Sequence, residues 1–66
     1  MKPLAVGDKV VVRNVQMNQF IVSPEGVILR VVNGDYLVEY NYCPTWSDRP
    51  IQFHGLFGAD RLILMR

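Results

Sequence analysis

The sequence predicts an all-β domain: five short strands curled into a small barrel, with a single 3₁₀ turn before the last strand. Three observations predict it. Short runs rich in β-branched and aromatic residues recur along the chain, and glycine, asparagine and proline punctuate them. No segment sustains the 3.6-residue apolar period of an amphipathic helix. No repeat, linker or low-complexity tract divides the chain, so positions 1–66 are expected to form one domain.

Lys9-Val10-Val11-Val12-Arg13 follows a Gly7-Asp8 turn signal and reads as the first strand. From Asn14 to Ser23, polar residues (Asn14, Gln16, Asn18, Gln19) interleave irregularly with apolar ones, and a long loop ending at Pro24 is expected. Glu25 to Val32 is the second strand, with Gly26 offering a bulge or bend where the sheet curls. Asn33-Gly34 between two apolar runs is the strongest local signal, since both positions of a tight hairpin turn require positive φ. Tyr36 to Tyr42 is the third strand. Its period of two puts Tyr36, Val38, Tyr40 and Tyr42 on one face and Leu37, Glu39 and Asn41 on the other. Cys43 to Pro50 is a loop whose two prolines exclude a central strand. Ile51 to His54 is a short fourth strand, Gly55 to Asp60 a 3₁₀ turn, and Arg61 to Met65 the fifth strand.

Composition excludes several functions. A chain of 66 residues, 50% of them apolar, buries only roughly 60% of the surface its unfolded form exposes. A deep private cavity inside one subunit is therefore not expected, and the apolar excess predicts a homo-oligomer. With 7 Lys+Arg against 6 Asp+Glu the net charge is +1, unlike the strongly basic face of a dedicated nucleic-acid binder. The lone cysteine, Cys43, cannot form an internal disulfide. One Cys and one His also fall short of a structural zinc site, and no metal is expected. The stretch from Met1 to Asp8 has no signal-peptide run, and no apolar run approaches the ~20 residues of a membrane span. The expected location is the cytoplasm.

Gly7-Asp8-Lys9-Val10 before the first strand, Gly26 opening the second, the Gly34-Asp35 hairpin and a short turn before Arg61-Leu62 together resemble bacterial SH3-like small barrels, including KOW-type and Tudor-like modules. The pattern covers nearly the whole chain and marks turns and core positions. Ile51-Gln52-Phe53-His54 further resembles the Val-Gln-Ile-Tyr stretch that lines the central pore of the plasmid-borne type II dihydrofolate reductases, a mobile-element family of four-copy small barrels. That resemblance implies that Gln52 and Phe53 face folate and NADPH, with His54 replacing the tyrosine. Val12 stands where that family has a lysine for the substrate's anionic tail, and Pro50 where it has a serine. The resemblance therefore implies a shared scaffold and assembly more than a shared activity.

Candidate chemistry is sparse. His54 is the one histidine, a residue type suited to acid–base work near neutral pH, but no sequence spacing orients it, and a strand-end or interface role is expected. Asp60 and Glu39 are carboxylates that could approach it in the fold, but the sequence does not place them there. Cys43 has no cationic neighbour and reads as an ordinary thiol. Gly55-x-x-Gly58 lacks the following helix of a phosphate cradle and reads as a turn. No catalytic residue is assigned.

The aromatics carry more information. Tyr36, Tyr40, Tyr42, Trp46, Phe53 and Phe57 crowd the second half of the chain, with Tyr40 and Phe57 expected in the core. Tudor-like barrels use such rings as cation cages and related barrels stack nucleobases on them. Trp46 lies in a polar, proline-containing loop, so Tyr42, Trp46 and Arg49 form the expected contact site. Arg13 and Arg30 flank strands that neighbour each other and are a candidate basic patch; Lys9, Arg49, Arg61 and Arg66 are dispersed. The expected function is a self-associating, non-catalytic binding module for a protein or nucleic-acid partner. It needs no cofactor. A reductase-like site at a symmetry axis, binding NADPH, is the alternative.

Overall fold

The structure, a computed structural model, describes residues 4–17 and 19–65. Met1, Lys2, Pro3, Asn18 and Arg66 lie outside the described residues. The strands are β1 (Lys9–Val12), β2 (Val15–Met17), β3 (Phe20–Val22), β4 (Glu25–Val32), β5 (Asp35–Tyr42), β6 (Ile51–Phe57) and β7 (Leu62–Leu64), with a 3₁₀ turn at Ala59–Arg61. They form an all-β domain: a five-stranded antiparallel sheet in the order β6-β5-β4-β1-β7, plus the two-stranded hairpin β2-β3. Among the described residues no pairing joins β6 to β7, so their hydrogen-bonded ladder has two edges and does not close.

The core lies on one face of this sheet. Val10, Val12, Ile28, Val38, Tyr40 and Leu62 are buried there, and Val15 from the hairpin joins them. Met17 and Val22 pack against the same cluster, so the hairpin roofs the core. Val15–Met17 and Phe20–Val22 thus pair as a hairpin where the sequence suggested only a loop. The irregular polar pattern concealed two three-residue strands, Val-Gln-Met and Phe-Ile-Val, each of which leans on the main sheet with few of its residues.

Two conformational demands are met by residues suited to them. Asn33 (φ 50°) and Gly34 (φ 85°) build the turn between β4 and β5. Asn14 (φ 57°) turns the chain from β1 into β2. Arg61 locks that corner from across the molecule: its Nε donates to the Arg13 carbonyl at 2.9 Å and its second guanidinium nitrogen to the Asn14 carbonyl at 2.8 Å. Its guanidinium also lies 5.6 Å from the Phe57 ring centroid.

Gly26 sits where β4 crosses β5, and a Cβ there would fall 2.6 Å from the Glu39 carbonyl oxygen. A break in the sheet's register falls instead at Leu29, the extra residue between the Ile28–Val38 and Arg30–Leu37 pairs. β6 runs on through Gly55, Leu56 and Phe57, residues expected in the 3₁₀ turn. Gly55 opposes Val38, and a Cβ at this position would come within 2.9 Å of the Phe57 ring. The space above Gly55 is therefore where Phe57 lies, edge-on to Tyr40 at 5.8 Å.

Candidate functional site: an aromatic groove under the hairpin

A groove of about 180 Å³ runs between the β2–β3 hairpin and the loop that follows β5. Gln16, Met17 and Phe20 form its hairpin wall, and Tyr42, Pro44, Thr45 and Trp46 the facing one. Phe53 completes it from β6 and stacks on the buried Tyr40 ring at 5.6 Å, with 17° between planes. Tyr42 and Phe53 reach this space by register. Tyr40 pairs with Phe53 and Tyr42 with Ile51, so the rings project from the core face of the sheet.

The loop bearing Trp46 is held in shape. The Ser47 amide donates to the Pro44 carbonyl at 3.1 Å, closing a turn with Thr45 and Trp46 at its centre. The Cys43 thiol donates to the Ser47 carbonyl at 3.5 Å. The Ser47 hydroxyl donates to the Arg49 carbonyl at 2.9 Å and accepts from the Arg49 amide at 3.2 Å. Pro44 is buried beneath this turn while Trp46 is 67% exposed. Phe20, across the groove, is 55% exposed. The Trp46 ring is thus presented to solvent by a hydrogen-bonded turn.

Of the contact residues read from sequence, Tyr42 and Trp46 meet in the groove. Arg49 is exposed and does not line it. Gln52, Phe53 and His54 do not share a face. Phe53 points to the core side, whereas Gln52 and His54 project from the opposite face, because neighbours in a strand alternate. There Glu39 joins them: Gln52 Nε2 donates to Glu39 Oε1 at 2.6 Å, and His54 Nε2 lies 3.5 Å from Glu39 Oε2. The pair is an ion pair whenever the imidazole is protonated. Half-exposed in solvent, it is worth at most about 1 kcal/mol. Asp60 is not its partner. A more open depression of about 400 Å³ on this face is bordered by Lys9, Glu25, Glu39, Asn41 and Met65.

Arg13 and Arg30 are not neighbours. The β1–β4 register pairs Lys9 with Val27 and Val11 with Glu25, which sets Arg13 beyond one end of the ladder and Arg30 beyond the other. Along a strand that separation is on the order of 20 Å.

The hairpin wall was missed in the sequence because its strands are short. A signal for it exists in the triplets Val-Gln-Met and Phe-Ile-Val that flank the polar pair at 18 and 19. Glu39 could be placed beside His54 only through the β5–β6 register, which depends on the length of ordered strand on either side of the Cys43–Pro50 loop.

Among the described residues no group of three or more His, Cys, Asp or Glu side chains is placed to hold a metal ion, and no helix is long and apolar enough to cross a membrane. No protein-family model, curated protein or solved structure matches the chain, so its groove and its edges carry the functional reading.

Proposed function

We propose that the chain is a self-associating, non-catalytic binding module that takes an apolar segment of a protein partner in the groove beneath the β2–β3 hairpin. The observation that carries this reading is Trp46, two-thirds exposed on a loop braced by the Pro44–Ser47 turn. Exposed tryptophan on a rigid backbone loses little conformational entropy on contact and gains a large apolar area. Phe20, Tyr42 and Phe53 give the partner further rings, and Gln16 and Thr45 offer polar edges that set orientation. The groove wall contains no charged side chain, which favours a protein segment over the phosphate backbone of a nucleic acid. The fold we infer behind it is an SH3-like small barrel. The strand order, the hairpin inserted between β1 and β4, and the 3₁₀ turn before β7 support that reading.

Panning a random peptide library against the purified protein tests the groove. Peptides enriched on the protein are expected to bind the Trp46→Ala variant at least about 10-fold more weakly, a loss of about 1.4 kcal/mol or more. Equal affinity for both proteins would remove the groove from the reading. Tight, salt-sensitive binding of DNA or RNA oligonucleotides would replace the protein partner with a nucleic acid.

A second reading, a reductase-like site at a symmetry axis, draws on one observation: Gln52 and His54 are exposed side by side on an edge strand. Phe53, which that reading needs beside them, faces the other way. Titration calorimetry with NADPH is expected to show no heat of binding; a saturable signal would restore the enzyme.

A further inference from the structure

We propose that the free edge of β6 is the surface through which this domain self-associates, and that it pairs with β6 of a second copy, antiparallel, about a two-fold axis at His54. The proposal locates the self-association in the reading above and does not depend on the groove. β6 is seven residues long and stands at the end of the sheet order, with β5 its one hydrogen-bonded neighbour. Among the described residues, no backbone group of 51–57 enters a hydrogen bond outside the β5–β6 ladder. Half of its amides and carbonyls therefore face outward without a partner.

Natural edge strands are blunted by shortness, lysine, proline, a bulge or a covering element. The other edge follows that rule: β7 has three residues and follows directly on the 3₁₀ turn. β6 has none of these devices. Its ladder with β5 runs from Tyr36–Phe57 to Tyr42–Ile51 without a register break, Pro50 precedes it, and no lysine or arginine lies within it.

The edge is also its own complement, which selects a second copy over a foreign strand. A two-fold axis at His54 sets Ile51 opposite Phe57, Gln52 opposite Leu56, and Phe53 opposite Gly55, with the histidines facing each other. The core-face pairs are apolar, and Phe53 meets the flank of the Phe57 ring that overlies Gly55 in the other copy. On the outer face Leu56, 55% exposed in the single chain, gains the aliphatic stem of Gln52. Each His54 keeps its own Glu39 at 3.5 Å, so a carboxylate flanks the histidine pair on either side and no fixed like charges oppose.

Light scattering on the full chain, across about 10 µM to 1 mM, tests the proposal. The expected mass is twice the 7.6 kDa of one chain. His54→Lys places an ammonium group beside Glu39 in the monomer but opposes two ammonium groups across the axis, and is expected to weaken the dimer at least about 10-fold. His54→Leu is expected to preserve it. Trp46→Ala is also expected to dimerise like the parent, whatever its effect on peptide binding. In a Cys43→Ser background, His54→Cys is expected to yield a disulfide-linked dimer on mild oxidation, because directly opposed residues lie about 4.5–5.5 Å apart at Cα. Leu56→Cys alone is not. A monomeric mass throughout, a dimer indifferent to His54→Lys, a dimer lost with Trp46→Ala, or cross-linking at Leu56→Cys in place of His54→Cys would each overturn the proposal.

Discussion

Tyr40 is where the core, the groove and the free edge meet at the scale of one side chain. It is 7% exposed, stacks on Phe53 and meets Phe57 edge-on. Burial raises its phenol above the ordinary value of 10.0, since the phenolate would lose hydration in this setting. The sign of the consequence is fixed. Below pH 10 the phenol is protonated in both folded and unfolded chains, and the contribution to stability is fully present. Above it the unfolded chain releases a proton that the folded chain retains, and stability falls as pH rises toward the folded value. Urea unfolding at about pH 9 and pH 11 is expected to show a smaller drop for Tyr40→Phe than for the parent. An equal drop would assign the alkaline loss to other groups. The inward face of β5 was legible from the period of two through Tyr36, Val38, Tyr40 and Tyr42, and so was the isolation of Trp46 in a polar loop. The pairing of His54 with Glu39 was not, because a cross-strand contact is a property of register, and register passes through the Cys43–Pro50 loop.

Elements were legible where several local signals agreed. The Asn33-Gly34 turn and the strands on either side of it follow from backbone chemistry and alternation, and the structure places them as the sequence reads. The hairpin at 15–22 was hidden because strands of three residues make almost no periodic pattern, and tertiary contact through Val15, Met17 and Val22 holds them in place. Gly26 lies between these cases. A glycine early in a strand announces a bend, but the reason for it appears only in the sheet, where a Cβ would strike the Glu39 carbonyl at 2.6 Å and Val38 Cγ1 at 2.8 Å. A backbone oxygen in the neighbouring strand cannot move aside without breaking the ladder. Gly26→Ala is therefore expected to cost roughly 1–3 kcal/mol, read as a lower urea midpoint with an unchanged slope. Gly55→Ala, whose Cβ meets the far edge of the Phe57 side chain at 2.9 Å and no neighbouring backbone, is expected to cost less. A reversed order would mean that β4 yields more readily than the aromatic cluster does.

At the scale of the whole molecule, the core is small and the apolar surface large. Four side chains, Val10, Val12, Ile28 and Val38, are fully buried, while Phe20, Ile21, Trp46, Leu56 and Ile63 are each at least half exposed. A chain of 66 residues has too little interior to hide them all. Two of these residues, Phe20 and Trp46, border the groove, and Leu56 lies on the unblocked edge. The same shortage that leaves rings for a partner also leaves stability to be gained by pairing with a second copy. If the native state is a dimer, unfolding releases two chains, and each tenfold rise in concentration stabilises the dimer by about 1.4 kcal/mol, or about 0.7 per chain. For a domain of this size that corresponds to a rise in Tm of roughly 3–5 °C. Calorimetric scans at three concentrations spanning two decades are expected to show that slope for the parent and for Trp46→Ala. His54→Lys is expected to melt below the parent at each of the three concentrations. A flat line for the parent would mean that the folded monomer is self-sufficient and that its apolar surface serves the groove's partner alone.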